Sequence, residues 1–155
     1  MQSLDEILTP ARTVCRADGI SKKRLFESIA QIVCTDQPAL AYDNVLDHLI
    51  AREKLGSTGL GHGIAIPHCR VEECREPMGS LISLKEPLDF DAPDDAPVDL
   101  LFVLLVPSEA HQEHLEILAD IARLFNGDRF RSALRAARDS QSLYRAACIP
   151  IAGSG

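Results

Sequence analysis

Two spacings of apolar residues alternate along the chain, one helical and one strand-like, and the breaks between them fall at glycines and prolines. Leu4 to Leu8 reads as a short apolar-faced opening turn stopped by Pro10, and Thr13 to Cys15 as an edge strand. Ser21 stands where a helix N-cap belongs, and Leu25, Ile29, Ile32 and Val33 recur at helical spacing, which predicts a helix over Lys22 to Cys34. After a connection containing Pro38, the stripe Val45, Leu46, Leu49 and Ile50 predicts a second helix from Asp43, its expected cap, to Lys54. Gly63 to Pro67 is strand-like and enters His68. Gly79 to Leu84 is a further strand, and Pro87 to Pro97, with three prolines and four aspartates, a solvated loop.

Val98 to Val106 is apolar almost throughout, as a central strand buried on both faces would be. Pro107 ends it. A helix is expected over Glu109 to Phe125, capped by Ser108, with Leu115, Leu118, Ile121, Ala122 and Phe125 on its apolar face. Asp128 to Ala137 and Asp139 to Cys148 read as two short helices, each opening on an aspartate. The alternation gives an α/β fold with a single mixed sheet between helices, one domain over residues 1–150, and a flexible tail at 151–155.

At 155 residues the chain is long enough to bury a real core. A net charge of −7 argues against a nucleic-acid partner, whose phosphates require Lys and Arg. The charge is uneven: ten acidic residues and no Lys or Arg lie between Glu86 and Ala122, whereas Asp128 to Arg145 holds five Arg against two Asp. The five cysteines have no regular spacing, the N-terminus lacks the pattern of a signal peptide, and no apolar run is long enough to span a bilayer. A cytoplasmic, reduced protein without membrane insertion is expected.

One stretch concentrates the candidate chemistry. Leu55 to Arg70, LGSTGLGHGIAIPHCR, holds Gly56, Gly59, Gly61 and Gly63 within eight residues, then an apolar run, then Pro67-His68. A histidine beside an apolar strand is ordinarily a packed core residue. Here the glycines and Pro67 restrict its position, which points to a working imidazole. With an unperturbed pKa of about 6.5 that imidazole is mostly neutral near pH 7 and can act as a nucleophile. The glycine loop lacks the Lys of a P-loop, so it is either a tight turn that lets backbone pass close by, or an anion-binding array of N–H groups, or both. His111 and His114 share a helix face, and with His62, His68 and Cys69 could be metal ligands. Their order matches neither H-E-x-x-H nor H-x-x-E-H, no cysteine pair has C-x-x-C spacing, and no metal site is expected. Arg52, near the end of its helix, is either a charge favourable to the helix dipole or a bidentate partner for a phosphate. Cys69 is read as structural.

The run REKLGSTGLGHGIAIPH from Arg52 to His68 resembles the active-site signature of the fructose–mannitol class of phosphotransferase-system enzyme IIA proteins, and most closely its nitrogen-type, regulatory branch. The resemblance extends through VDLLFVLLVP and HLEILADIARLF to the closing SLYRAA. It implies a sheet flanked by helices on both sides, with no cofactor. It also implies that His68 is phosphorylated, on Nε2, by a small HPr-like histidine phosphocarrier, and that Arg52 and His114 match the family's arginine and second histidine; His111 has no such match. N–H groups of the loop, over Ser57, Thr58, Gly59, Gly61 and Gly63, would help to hold the phosphoryl oxygens. The expected partners are the carrier and regulatory targets that read the phosphorylation state, with weak homodimerisation. The competing readings are a sugar-transport IIA that passes phosphate to a IIB domain, a zinc-dependent hydrolase, and a purely structural binding module.

Overall fold

The computed structural model describes residues 3–19, 21–109 and 111–148, so the expected tail at 151–155 lies outside the described residues. Two 3-10 turns, Leu4–Glu6 and Pro10–Arg12, lead into β1 (Thr13–Ala17), α1 (Lys22–Asp36) and α2 (Tyr42–Leu55). Three short strands follow, β2 (Gly59–Gly61), β3 (Ile64–Ala65) and β4 (His68–Arg70), and then the two long ones, β5 (Met78–Leu88) and β6 (Val98–Val106). The chain closes with α3 (His111–Phe125), α4 (Asp128–Ala136) and α5 (Ser140–Ala147).

β6 organises the sheet because its side chains are apolar in both directions. Val98, Leu101, Val103 and Leu105 join one core with Leu25 and Ile29 of α1 and Val45 and Leu49 of α2. Leu100, Phe102, Leu104 and Val106 join a second with Ile121 and Phe125 of α3, Leu134 of α4 and Leu143 of α5. The helices therefore cover both faces of one mixed sheet of order β1-β5-β6-β3-β2, with β4 also paired to β6. β1 is parallel to β5, β5 antiparallel to β6, and β3 and β4 both parallel to β6.

The strand expected over Gly63 to Pro67 is divided. β3 ends at Ala65 and β4 begins at His68, yet both keep one register against β6: Ile64 faces Leu100, and four residues on in each strand His68 faces Leu104. The ladder lapses at Pro67, which has no N–H to give, while its carbonyl still accepts from Leu104 N–H at 2.9 Å. The track is continuous and His68 stands at a fixed rung of it.

Other boundaries differ for local reasons. α1 begins as expected, with the Ser21 hydroxyl accepting from Arg24 N–H, and runs on to Asp36. α2 is not capped by Asp43: Ala41 is the capping residue without a side-chain bond, and Asp43 lies in the first turn, where its charge suits the helix dipole. β5 extends through Pro87 to Leu88, so the acidic loop begins at Asp89. Ser108 and Glu109 form a turn before α3, and Ala110 lies outside the described residues. On α3 the buried stripe is His114, Ile117, Ile121 and Phe125, and Leu115, expected on the apolar face, is 62% exposed. Asp139 does cap α5, accepting from Ser142 N–H at 2.7 Å.

Candidate functional site

Ile66 and Pro67 fix the imidazole of His68. The proline confines Ile66 to extended backbone; Ile66 N–H donates to Thr58 carbonyl at 3.0 Å, and Ile66 carbonyl lies 2.7 Å from His68 Nδ1. A carbonyl only accepts, so Nδ1 carries the ring proton and Nε2 is left with its lone pair. The ring is half-buried. Burial is the main cause that lowers the His68 pKa; the Ile66 hydrogen bond and the charge of Glu53 act against it, and the charge of Arg52 adds to it. His68 is therefore neutral at pH 7, with the lone pair of Nε2 on the side away from the backbone.

This lowered pKa has a consequence for stability. The unfolded chain takes up a proton near pH ~6.5, before the folded chain does. The contribution of His68 is thus constant above that pH and is lost as the pH falls towards the folded value. Urea denaturation at pH 7.5 and pH 5.5, followed by circular dichroism, should show wild type losing more stability on acidification than His68→Gln. Equal losses would contradict the assignment.

α3 supplies the second imidazole. His114 is only 7% exposed, and its ring meets that of His68 edge to face, with centroids 5.5 Å apart and planes at 79°. The helix directs a histidine inward at this point because His114 occupies the first position of the buried stripe that continues through Ile117 and Ile121.

Arg52 enters from the last turn of α2. Its Nη1 donates to the Gly56 carbonyl at 2.9 Å, which leaves the remaining guanidinium donors uncommitted to that carbonyl, and its charge is felt at His68. Glu53, which the sequence did not single out, ties the loop to the helix. Its carboxylate accepts from Thr58 Oγ1 at 2.7 Å and Thr58 N–H at 3.3 Å, and it pairs with Lys22 Nζ at 2.7 Å. Its i, i+5 spacing to Thr58 across a helix end was the signal available, and no sequence periodicity reads such a contact.

The loop expected to bind phosphate is bonded in large part to the protein itself. Ser57 Oγ donates to Phe90 carbonyl at 2.5 Å and accepts from Gly59 N–H at 3.1 Å. Thr58 is committed to Glu53, and His62 N–H to Asp94 at 3.1 Å. Gly59 is glycine because a Cβ there would lie 2.9 Å from Ala92 Cβ. Gly63 has φ of +79°, and its Cβ would meet Arg135 Nη2 at 2.5 Å. Gly61 and Gly63 also lie at the wrong end of the track, since the five residues of extended chain from Gly63 to His68 span roughly 16 Å. Ser57, Thr58, Gly59, Gly61 and Gly63 thus form a closely packed turn that positions the strand, with the Ser57 and Thr58 side chains and the Gly59 amide bonded to the protein itself.

The other candidates disperse. His62 is exposed at the loop with φ of +57°, and the side chain of His111 lies outside the described residues. Cys69 points into the α1–α2 core, where burial, with Cys74 nearby, pushes its thiol up to about 12, so it is protonated and unreactive at pH 7. Among the described residues no three His, Cys, Asp or Glu side chains converge as a metal site, and no helix is long and apolar enough to cross a membrane. Among the described residues the exposed large apolar side chains are Leu55 (85%), Leu60 (48%) and Leu115 (62%). Leu55 ends the helix that carries Arg52 and Leu115 follows His114 directly, whereas Leu60 lies at the hairpin tip, near Ala122 and Asn126 at the far end of α3.

Residues 6–147 match the family described as phosphoenolpyruvate-dependent sugar phosphotransferase system, EIIA 2. The nitrogen regulatory protein of Pseudomonas aeruginosa is 49% identical over 145 residues, covering 94% of both chains. The crystal structure of nitrogen regulatory protein IIA-Ntr from Neisseria meningitidis superposes with a TM-score of 0.84 at 41% identity, over 91% of this chain and 96% of that one. IIA mannitol from Escherichia coli shares the fold, with a TM-score of 0.74 at 15% identity over 90% and 98% of the two chains.

Proposed function

Since this chain belongs to the EIIA 2 family of the phosphoenolpyruvate-dependent sugar phosphotransferase system, we propose that it accepts a phosphoryl group on Nε2 of His68 from an HPr-like phosphohistidine carrier. The observation that supports this most directly is the 2.7 Å contact of His68 Nδ1 with Ile66 carbonyl. It selects the tautomer in which Nε2 is the nucleophile. The Nε2 lone pair attacks the phosphorus in line, the carrier's P–N bond breaks, and that electron pair returns to the carrier's ring nitrogen. His68 keeps its Nδ1 proton, and the positive charge that develops on its ring is met by the carbonyl oxygen of Ile66. Phosphoryl transfer needs little more from a protein than alignment and charge around the equatorial oxygens. Arg52 supplies that charge through guanidinium N–H groups beyond the one held by Gly56, and His114 supplies a donor from α3. Leu55, at the end of the helix that carries Arg52, and Leu115, next to His114, provide the apolar ground on which a carrier docks.

The chain is a component of the phosphotransferase system, and a relative at 49% identity is named nitrogen regulatory protein. That identity favours a regulatory role, in which target proteins read the phosphorylation state, over delivery of phosphate to a sugar-transport IIB domain. Two negative charges added near Leu115 would make an apolar contact surface anionic, and partners that dock there would distinguish the two forms.

Rapid-quench transfer from phosphorylated carrier tests the supporting residues. Arg52→Ala and His114→Ala each remove one contact to a charged group and should slow transfer roughly ten- to a hundred-fold. Wild-type rates would remove the residue concerned from the site. Incubation of phosphorylated protein with purified IIB domains tests the regulatory reading, because rapid transfer to a IIB would favour the transport role.

A further inference from the structure

A cavity of about 370 Å³ opens beyond the far end of β6 from His68. Three of its lining side chains, Arg16, Lys85 and Arg135, are cationic, in a chain whose net charge is −7. Its one carboxylate among the described residues, Asp99, is held by Arg135, with Nη2 at 2.8 Å and Nε at 3.0 Å. Arg16 and Lys85 have no carboxylate partner among the described residues.

The backbone brings Arg16 to this place. The register of β1 against β5 shifts between Val14 and Ala17, and Arg16 at this irregularity has φ of +56°. Such bulges redirect a side chain out of the regular alternation. Arg16 N–H donates to Ser83 Oγ at 2.8 Å. Ser83 is 8% exposed and lines the cavity; its oxygen accepts from Arg16, and its own proton has no acceptor among the described residues. A planar fork, a point charge and a buried hydroxyl therefore converge on one space of the size that ligand cavities have.

We propose that this cavity binds a small phosphorylated molecule, with its dianionic head held by Arg16, Lys85 and the Ser83 hydroxyl. Three donors of different shape suit the three oxygens of a tetrahedral phosphate monoester, whereas a planar carboxylate offers only two. The ligand would also approach Arg135, whose Nη2 donates to His62 carbonyl at 2.5 Å and lies against Gly63. Occupancy is thereby felt at the turn where the His68 strand begins. The site is independent of the phosphoryl-transfer reading, since it shares no residue with it.

The experiment is a heteronuclear NMR titration of the unphosphorylated protein with glycerol 3-phosphate at 0.15 M salt, repeated with malonate as a dicarboxylate probe. Saturable shifts of the Arg16, Ser83, Lys85 and Arg135 amides with one common dissociation constant are expected, together with weaker malonate binding. Arg16→Gln and Lys85→Gln, both at exposed positions, should each weaken binding roughly ten- to a hundred-fold, on the scale of one lost charge-assisted contact. Both should leave the remainder of the spectrum and the basal rate of phosphoryl acceptance unchanged. Non-saturable shifts, shifts confined to Arg52 and His68, equal affinity for malonate, or undiminished binding in both variants would each overturn the proposal.

Discussion

His68→Gln should abolish phosphoryl acceptance while leaving the fold in place. The glutamine amide can still donate to Ile66 carbonyl, and the half-buried position tolerates a side chain of similar size. What disappears is the ring nitrogen on which a covalent intermediate forms. Incubation with phosphorylated carrier followed by intact-mass measurement under alkaline conditions should give quantitative label on the wild type and none on the variant. Nitrogen-15 NMR of the labelled wild type should place the phosphate on Nε2. Acid-labile phosphate on His68→Gln would refute the assignment of the acceptor, and phosphate on Nδ1 would refute the tautomer argued from the Ile66 contact. His114→Gln, which keeps His68, should still be labelled given time, so the two histidines are separated by extent of labelling and not by rate alone.

The largest expected effect on stability comes from Arg12. Arg12 is 5% exposed, and its guanidinium joins three parts of the chain. Nε donates to Gly79 carbonyl at 2.8 Å, Nη2 to Ile7 carbonyl at 2.8 Å, and Nη1 to Asp36 at 2.5 Å. It pins the N-terminal turn and the end of α1 to the start of β5. Arg12→Ala removes the donors but leaves the acceptors in place. Ile7 carbonyl retains Gly79 N–H at 2.7 Å, whereas Gly79 carbonyl and the partly buried Asp36 carboxylate lose a charged partner. An acceptor stripped in this way costs about 1–3 kcal/mol, more for a charged one. A total of about 3–5 kcal/mol is expected, or roughly 10 °C in Tm for a domain of this size. Thermal unfolding followed by circular dichroism measures it. A shift below about 3 °C would mean that the cluster is not integral to the fold, and Arg12→Lys should recover only part of the loss, because a point charge cannot serve three separated acceptors.

These two residues mark what sequence can and cannot reveal. His68 stood out as a candidate because its surroundings restrict the backbone: glycines and a proline within a few residues of an imidazole constrain geometry locally. β6 was legible because burial on both faces leaves an unbroken apolar run. Arg12 was not, since it lies beside Pro10 and Ala11 as an ordinary surface cation would, and its partners stand 5, 24 and 67 residues away. Glu53 was hidden for the same reason. The reading of α3 missed by one helical position. Leu115 looked like core by composition, but His114 holds the inward position and carries the stripe through Ile117 and Ile121, so Leu115 is turned to solvent. A polar residue in a buried stripe shifts the apparent phase of an amphipathic helix, and here the shift coincides with the site. The glycine loop shows a further limit: glycines mark unusual backbone but not its purpose. Here the purpose is close approach, to Ala92 at Gly59 and to Arg135 at Gly63.

The constant pairing of β3 and β4 along β6 makes segment length, and not composition, the quantity under constraint between residues 64 and 68. One residue added or removed there would exchange the two faces, turning the imidazole into the α1–α2 core and bringing the Cys69 thiol out towards α3. The hairpin that precedes it is tied at its ends and exposed at its tip, so extra residues near Leu60 to His62 would lengthen a surface loop and leave the histidine at its rung. In lineages derived from this chain, gaps should therefore accumulate at the hairpin tip and be absent from the five positions that end on His68.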